Sequence, residues 1–159
     1  MTHIGITGHQ RLHHRGAWKW VELTLQEELS RLPPPLVAVT SLAIGADQLL
    51  AKLVLERGGS IHAVLPYPDI ERSFLPSDLD SYRELAKHAT IEVLTTSGTD
   101  EDAYLAAGIR VVTLSDIVLA VWNGMPSRGK GGTADVVAYA LRVGVPIVRV
   151  NPVSRTVER

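Results

Sequence analysis

A run of apolar side chains, Val118-Leu119-Ala120-Val121-Trp122, opens onto a turn with Gly124, Gly129, Gly131 and Gly132 inside nine residues, and a helix-like segment begins at Thr133. No other stretch restricts the possible folds as much. A strand without polar and apolar alternation is buried on both faces, the condition of strands in parallel sheets. Glycines lack Cβ and let successive backbone N–H groups face one concavity. A helix starting at that concavity adds the positive end of its dipole. The turn therefore reads as an anion cradle, with Gly129, Lys130, Gly131, Gly132 and Thr133 as its candidate phosphate contacts.

The rest of the chain repeats the same alternation. His3–Thr7 is a short strand, placed centrally, that ends at Gly8-His9-Gln10 with Arg11 just beyond. Trp18, Val21, Leu25, Leu29 and Leu32 recur at helical spacing, which predicts a helix over Ala17–Leu32, stopped by Pro33-Pro34-Pro35. Leu36–Ser41 is a second strand. It runs into the small-residue turn Ala43-Ile44-Gly45-Ala46-Asp47, and a helix reaches to about Arg57 before Gly58-Gly59. Ile61–Leu65 is a third strand.

From Pro66 to Ser77 three prolines and no usable period predict a long loop, and such loops serve as walls or lids of sites. Ser77 is a candidate cap for a helix over Asp78–Ala89, followed by a strand at Ile91–Thr95. A helix over Asp100–Thr113, a strand over Ile117–Trp122, a helix over Thr133–Val143 ended by Gly144, and a strand over Pro146–Val150 complete the pattern.

Strands alternating with helices imply an α/β, Rossmann-like, open and mainly parallel sheet of about six strands with helices on both faces, formed by residues 1–159 as a single domain. Ligands of such sheets bind at the carboxyl ends of the strands. Three loops converge there: Thr7–Arg11, Ser41–Asp47 and Asn123–Asp135. Thr7, Gly8, His9 and Arg11 are expected along one wall. Ser41, Gly45 and Asp47 form a second wall for a sugar or base, although Asp47 can equally cap its own helix. Pro66 opens the loop expected to flank them, and Trp122 stands at a strand end where its ring can stack on a base.

Two familiar nucleotide motifs overlap the glycine turn without completing. Gly124-x4-Gly129-Lys130 has Gly131 where a P-loop needs Ser or Thr, and Gly129-x-Gly131-x-x-Ala134 lacks the acidic residue expected about 20 positions later. His9, His13 and His14 do not amount to a zinc site, which needs three or four oriented ligands, and no metal is expected. Arg110 is the lone charge between Ala103 and Leu114, so it needs an anion: an Asp or Glu carboxylate, or a ligand phosphate. That helix and the apolar segment Val136–Leu141 suggest a subunit interface and hence a homodimer.

Sixteen Lys and Arg against seventeen Asp and Glu leave no overall basic footprint, so nucleic acid is not the expected partner. Cysteine is absent, which removes disulfides and thiolate chemistry. No apolar run approaches the length of about 18 residues expected of a membrane span, and the N-terminus lacks a signal-peptide pattern. A cytoplasmic location is the expectation.

Specific stretches resemble known families. Ser41-x-Ala43-x-Gly45-x-Asp47, with LLAKLVLERGGSIHAVLPYP after it, resembles the S-x-A-x-G-x-D core of the DNA-processing protein family DprA (Smf). GKGGTADVVAYA resembles the P-G-G-x-G-T-x-x-E region of the Lonely Guy (LOG) phosphoribohydrolases. Both belong to the SLOG superfamily of Rossmann-like nucleotide-binding domains. Thr7-Gly8-His9 and AVWNG…GKGGTAD are similar to its small uncharacterised or sensor members.

The resemblance spans about residues 2 to 150 and implies a nucleotide or nucleotide-derived ligand, with no other cofactor. It also implies, as alternatives, N-glycosidic hydrolysis of a nucleoside monophosphate or DprA-like binding of single-stranded DNA. For hydrolysis, Arg110 matches an upstream Arg, but Val136 stands where the family has its Glu. Asp135 is the nearest acid, roughly 100° around the helix.

Overall fold

The computed structural model describes residues 1–127 and 129–159. Its elements in chain order are β1 (Thr2–Gly8), α1 (Ala17–Ser30), β2 (Leu36–Thr40), α2 (Ala46–Glu56), β3 (Ser60–Leu65), α3 (Leu79–Ala86), β4 (Ala89–Val93), α4 (Asp100–Leu114), β5 (Ile117–Val121), α5 (Thr133–Val143), β6 (Ile147–Asn151) and β7 (Thr156–Glu158). The seven strands form one sheet in the order β4-β3-β2-β1-β5-β6-β7, parallel except for the last pair. This is an α/β, Rossmann-like fold.

The apolar strands are central because both their faces are covered. Ile4 and Ile6, Leu119 and Val121, and Val148 and Val150 pack with Val21, Leu25 and Leu29 of α1 and Leu50, Leu53 and Val54 of α2. Tyr82 of α3 joins Ile61, Ala63 and Leu65 on the same side. On the other side α4 places Ala107 and Val111 on Val39 and Val64, while Val136 and Ala140 of α5 meet Val118 and Val112. No described helix is long and apolar enough to cross a membrane.

Chain order and sheet order part company at β1. From there the chain walks outward through β2 and β3 to β4, then returns to the other flank of β1 with β5. The carboxyl ends of β1 and β5 thus border the point where the winding reverses, and crevices open at such points in α/β sheets.

The structure departs from the sequence expectations in four places. The helix expected over Asp78–Ala89 is Leu79–Ala86, and Ser77 does not cap it; Ser77 lies in a 3-10 turn, Pro76–Asp78. The loop from Pro66 also contains a second 3-10 turn, Ile70–Ser73. Strand β4 begins two residues early, pairing Ala89 with Ile61, because backbone pairing to β3 sets its register and its apolar residues are largely exposed. Finally, β7 adds a strand without a hydrophobic signature. Asn151 accepts the N–H groups of Val153 and Ser154 and turns the chain back, and β7 pairs antiparallel to β6.

Candidate functional site

Four loops at the carboxyl ends of the strands enclose a cavity of about 660 Å³. The end of β1 and the loop after it supply Thr7, Gly8, Gln10 and Arg11; the loop after β2 and the start of α2 supply Ser41, Ala43, Ile44 and Asp47. The segment after β3 contributes Pro66, Ile70, Ser73, Phe74, Leu75 and Asp78. Residues 129–133 line it from the turn after β5, with Glu101, Tyr104 and Gly108 from α4 and Val136 from α5.

Close backbone approaches hold the two inner walls together. Gly45 has φ +84°, and a Cβ there would lie 2.5 Å from the carbonyl oxygens of both His9 and Gln10. Only a glycine lets these loops touch. Ala46 N–H donates to His9 O at 3.1 Å, fastening the start of α2 to the loop after β1. Gly45 accordingly does not line the cavity and acts on its shape from behind. His9 also turns away: its Nε2 accepts Asn123 N–H at 3.3 Å, and burial holds the ring below its ordinary pKa. That contact makes the neutral imidazole a strut between the loops after β1 and β5.

At the glycine turn, Gly131 has φ +80° and its Cα packs on the α4 backbone, where a Cβ would meet Leu105 N at 2.6 Å. Gly131 N–H donates to Asp135 Oδ2 at 3.1 Å, so one amide of the expected cradle is already taken. Thr133 and Ala134, the first two residues of α5, have no acceptor for their N–H groups among the described residues, whereas Asp135 N–H donates to Ser127 Oγ at 3.3 Å. Thr133 Oγ1 lies 3.5 Å from Thr7 Oγ1, which joins the turn to the end of β1. Among the described residues, the two cationic side chains that line the cavity have carboxylate partners. Arg11 meets Asp78 at 3.0 Å and Lys130 meets Asp102 at 3.0 Å. Lys130 and the Thr99 N–H together push Asp102 down to about 2, the Thr99 amide contributing most.

Asp47 is the most perturbed group. Its residue is 9% exposed, and Ala43 N–H donates to Oδ2 at 3.3 Å. It does not cap α2; it reaches back to the turn that precedes the helix. Burial lifts its carboxyl to about 7, against the opposing pull of the Ala43 amide, the Thr40 hydroxyl and the Ser41 amide.

Three other candidates lie elsewhere. Arg110 makes a forked pair with Glu92 of β4, at 2.8 and 3.2 Å, and does not line the cavity. Asp135 does not line it either, its carboxylate being held by Gly131. Trp122 donates its indole N–H to Met125 O at 2.8 Å, and the Arg149 guanidinium covers its ring at 4.9 Å. Val136, where the resemblance implies Glu, is 4% exposed and packs so tightly on Gly108 that a Cβ there would lie 2.6 Å from Val136 Cγ2.

The apolar wall of Ile70, Phe74, Leu75 and Tyr104 was not among the sequence candidates. Its faint signal is the aromatic and aliphatic content of a proline-rich loop. Tyr104 and Tyr67 share a hydrogen bond of 2.8 Å, and burial, then this contact, raise the Tyr104 phenol to about 12.

A reversal of winding, a cavity against it and a glycine turn opening a helix define a Rossmann-like α/β fold. No protein-family model and no curated protein matches the sequence. Solved structures do match. DNA processing protein A from Helicobacter pylori, described for its unique single-stranded DNA binding mode, superposes with a TM-score of 0.69 at 19% identity, over 94% of this chain and 65% of that one. The Streptococcus pneumoniae protein gives 0.66 at 17%, over 94% and 50%. The molybdenum cofactor carrier protein of Chlamydomonas reinhardtii gives 0.53 at 20%, over 93% and 74%. At such identities the likeness is one of fold. The chain spans about half to two thirds of the two DNA processing proteins.

Proposed function

We propose that this chain binds a nucleotide or nucleotide-derived small ligand in the cavity, with a phosphate at the N-terminus of α5 and the remainder against the Ser41–Asp47 turn and the Phe74–Tyr104 wall. The observation that carries this reading is the joining, within one cavity, of a helix start whose first two N–H groups have no acceptor among the described residues and an apolar, partly aromatic wall. Free N–H groups at a helix start attract an anion. A cleft with both apolar and polar lining, within the range of about 300–1,000 Å³, suits a small molecule.

Binding without hydrolysis is the form of the proposal. N-glycosidic cleavage needs a carboxylate at the reacting centre. Val136 supplies none, and Asp135 is engaged by the turn. The single-stranded DNA alternative rests on the likeness to DNA processing protein A. The pairing of Arg11 and Lys130 with acids weighs against it.

Thr133→Asp tests the proposal. An acid in the first turn favours the helix dipole, so folding is preserved. The same carboxylate occupies the phosphate position, and affinity for adenosine or guanosine 5′-monophosphate should fall at least about tenfold. Unchanged affinity would overturn the assignment. Release of free base from the titrated nucleotide would replace it with hydrolysis, and oligonucleotide binding that collapses with added salt would replace it with the DNA reading.

A further inference from the structure

We propose that the Tyr104 ring takes the base of the nucleotide by stacking, without reading the hydrogen-bonding edge that tells one base from another, and that Arg72, from outside the cavity, is the positioning residue for that ring. This deepens the nucleotide reading and rests on it.

Aromatic side chains are scarce in this chain and gather at one place. Of its one Phe and four Tyr, four stand in or directly behind the wall that the segment after β3 forms with α4. Phe74 and Tyr104 line the cavity, and each is braced by a second ring. Phe74 has Tyr82 at 4.8 Å between ring centroids; Tyr104 has Tyr67 at 5.8 Å, with the two phenols hydrogen-bonded at 2.8 Å. Tilted pairs of this kind fix the orientation of their rings. Tyr104 nevertheless keeps 37% of its surface exposed, and Leu75, which also lines the cavity, keeps 57%. Apolar surface left open inside a cleft is surface for a ligand to cover.

Arg72 stands behind this wall and does not line the cavity. Its guanidinium lies 4.3 Å from the centroid of the Tyr67 ring and forks to both carboxylate oxygens of Asp100, in the first turn of α4, at 2.8 and 3.0 Å. A forked pair fixes direction as well as distance, and a cation over a ring holds that ring. Arg72 thereby fastens the segment after β3 to the helix that carries Tyr104, and the series Arg72, Tyr67, Tyr104 sets the place of the ring at the cavity.

Both hydroxyl groups on the wall have protein partners. The Tyr104 phenol is shared with Tyr67, and Ser73 donates to Ile70 O at 2.7 Å. What the wall offers a ligand is therefore ring and aliphatic surface. Every base has a π-face, whereas the edges of the bases differ. The wall accordingly distinguishes a base from no base and leaves adenine and guanine alike.

The experiment is calorimetric titration of the full chain and of Tyr104→Ala, Tyr104→Phe and Arg72→Met with adenosine and guanosine 5′-monophosphates and with ribose 5-phosphate, which has the phosphate and the sugar but no base. Urea unfolding of each variant checks the fold; Asp100, released in Arg72→Met, remains favourable at the start of α4. In the wild type both nucleotides should bind at least about tenfold more tightly than ribose 5-phosphate. Tyr104→Ala should weaken both nucleotides by the same factor, about ten- to a hundredfold, and leave ribose 5-phosphate as it was. Tyr104→Phe should keep most of the advantage of the base, and Arg72→Met should lose about three- to tenfold of it. A general loosening of the cavity would weaken ribose 5-phosphate as well, so its unchanged affinity separates positioning from mere structure.

Unequal losses for the two nucleotides in Tyr104→Ala, or a Tyr104→Phe as weak as Tyr104→Ala, overturn stacking in favour of contact through the phenol. Nucleotide affinity that Arg72→Met leaves unchanged, or lowers together with that of ribose 5-phosphate, overturns the positioning role. Equal nucleotide affinity in the wild type and Tyr104→Ala overturns the role of the ring; if Thr133→Asp still weakens that binding, the site itself stands. If none of the three ligands binds the wild type, the nucleotide reading falls and this one with it.

Discussion

Replacing Asp47 by Asn should abolish a measurable decline of folding stability with pH. Folded Asp47 holds its proton up to about pH 7, whereas in the unfolded chain it loses it near 3.8. Between those values the folded state binds more protons, so stability is complete below about pH 4 and declines as pH rises. A gap of about three pH units at 1.36 kcal/mol each gives about 4 kcal/mol in all, and about 3 kcal/mol of this falls between pH 5 and pH 8. Asn lacks the proton and the decline.

Other groups do not imitate the effect. Glu71, Glu92, Asp100 and Asp102 are all lowered by their partners. Their contribution is present above the ordinary carboxylate range and is lost only as pH falls through their lowered values. His9, lowered by burial, adds stability as pH rises toward 6.5, but it does so in both proteins. Urea unfolding of each protein at pH 5, 6, 7 and 8 measures the difference. The variant should gain about 3 kcal/mol on the wild type across the series. Curves that stay parallel within about 0.5 kcal/mol, the usual scatter of a surface substitution, would refute the buried-acid argument.

Two further substitutions test the frame around the cavity. Gly45→Ala forces a Cβ against two carbonyl oxygens at a positive φ and should lower unfolding free energy by about 3 kcal/mol, read by urea denaturation. Arg159→Met strands the Glu28 carboxylate, which is 6% exposed on α1 and otherwise meets the Arg159 guanidinium. A loss of about 2 kcal/mol is expected for the half-exposed pair, and Glu28→Gln in the same chain should recover part of it.

The apolar runs at His3–Thr7, Leu36–Thr40 and Ile117–Val121 announced their strands because central parallel strands have no polar face to hide. At the rim of the sheet that signal fails. Strand β4 exposes Ile91 and Val93, so its apolar residues do not mark its limits, and β7 exists through the Asn151 turn and backbone pairing. At the cavity, strand-end logic located the loops but not the direction of every side chain within them. Thr7, Ser41, Asp47 and residues 129–133 line it, whereas His9 and Gly45 stand behind the wall because they join one loop to another. Arg110 needed an anion, and the one it meets, Glu92, lies eighteen residues earlier in the chain. The Phe74–Tyr104 wall depends on a proline-rich segment folding over α4, which no local period encodes.

That Glu92 contact also governs how the molecule behaves among its own copies. An open strand edge invites pairing with another chain and is a starting point for aggregation. Strand β4 is such an edge, parallel to β3 and partly apolar on its surface. In its middle Glu92 is clamped between His62, at 3.1 Å, and Arg110. Another strand docking there must bury or break the Glu92–Arg110 ion pair and its hydrogen bond with His62. At the opposite edge, β7 is only three residues long and ends in Glu158, which leaves little to template on. The Arg110–Glu92 pair thus places charge on an open edge of the sheet, a device by which edge strands resist growing sheet upon sheet.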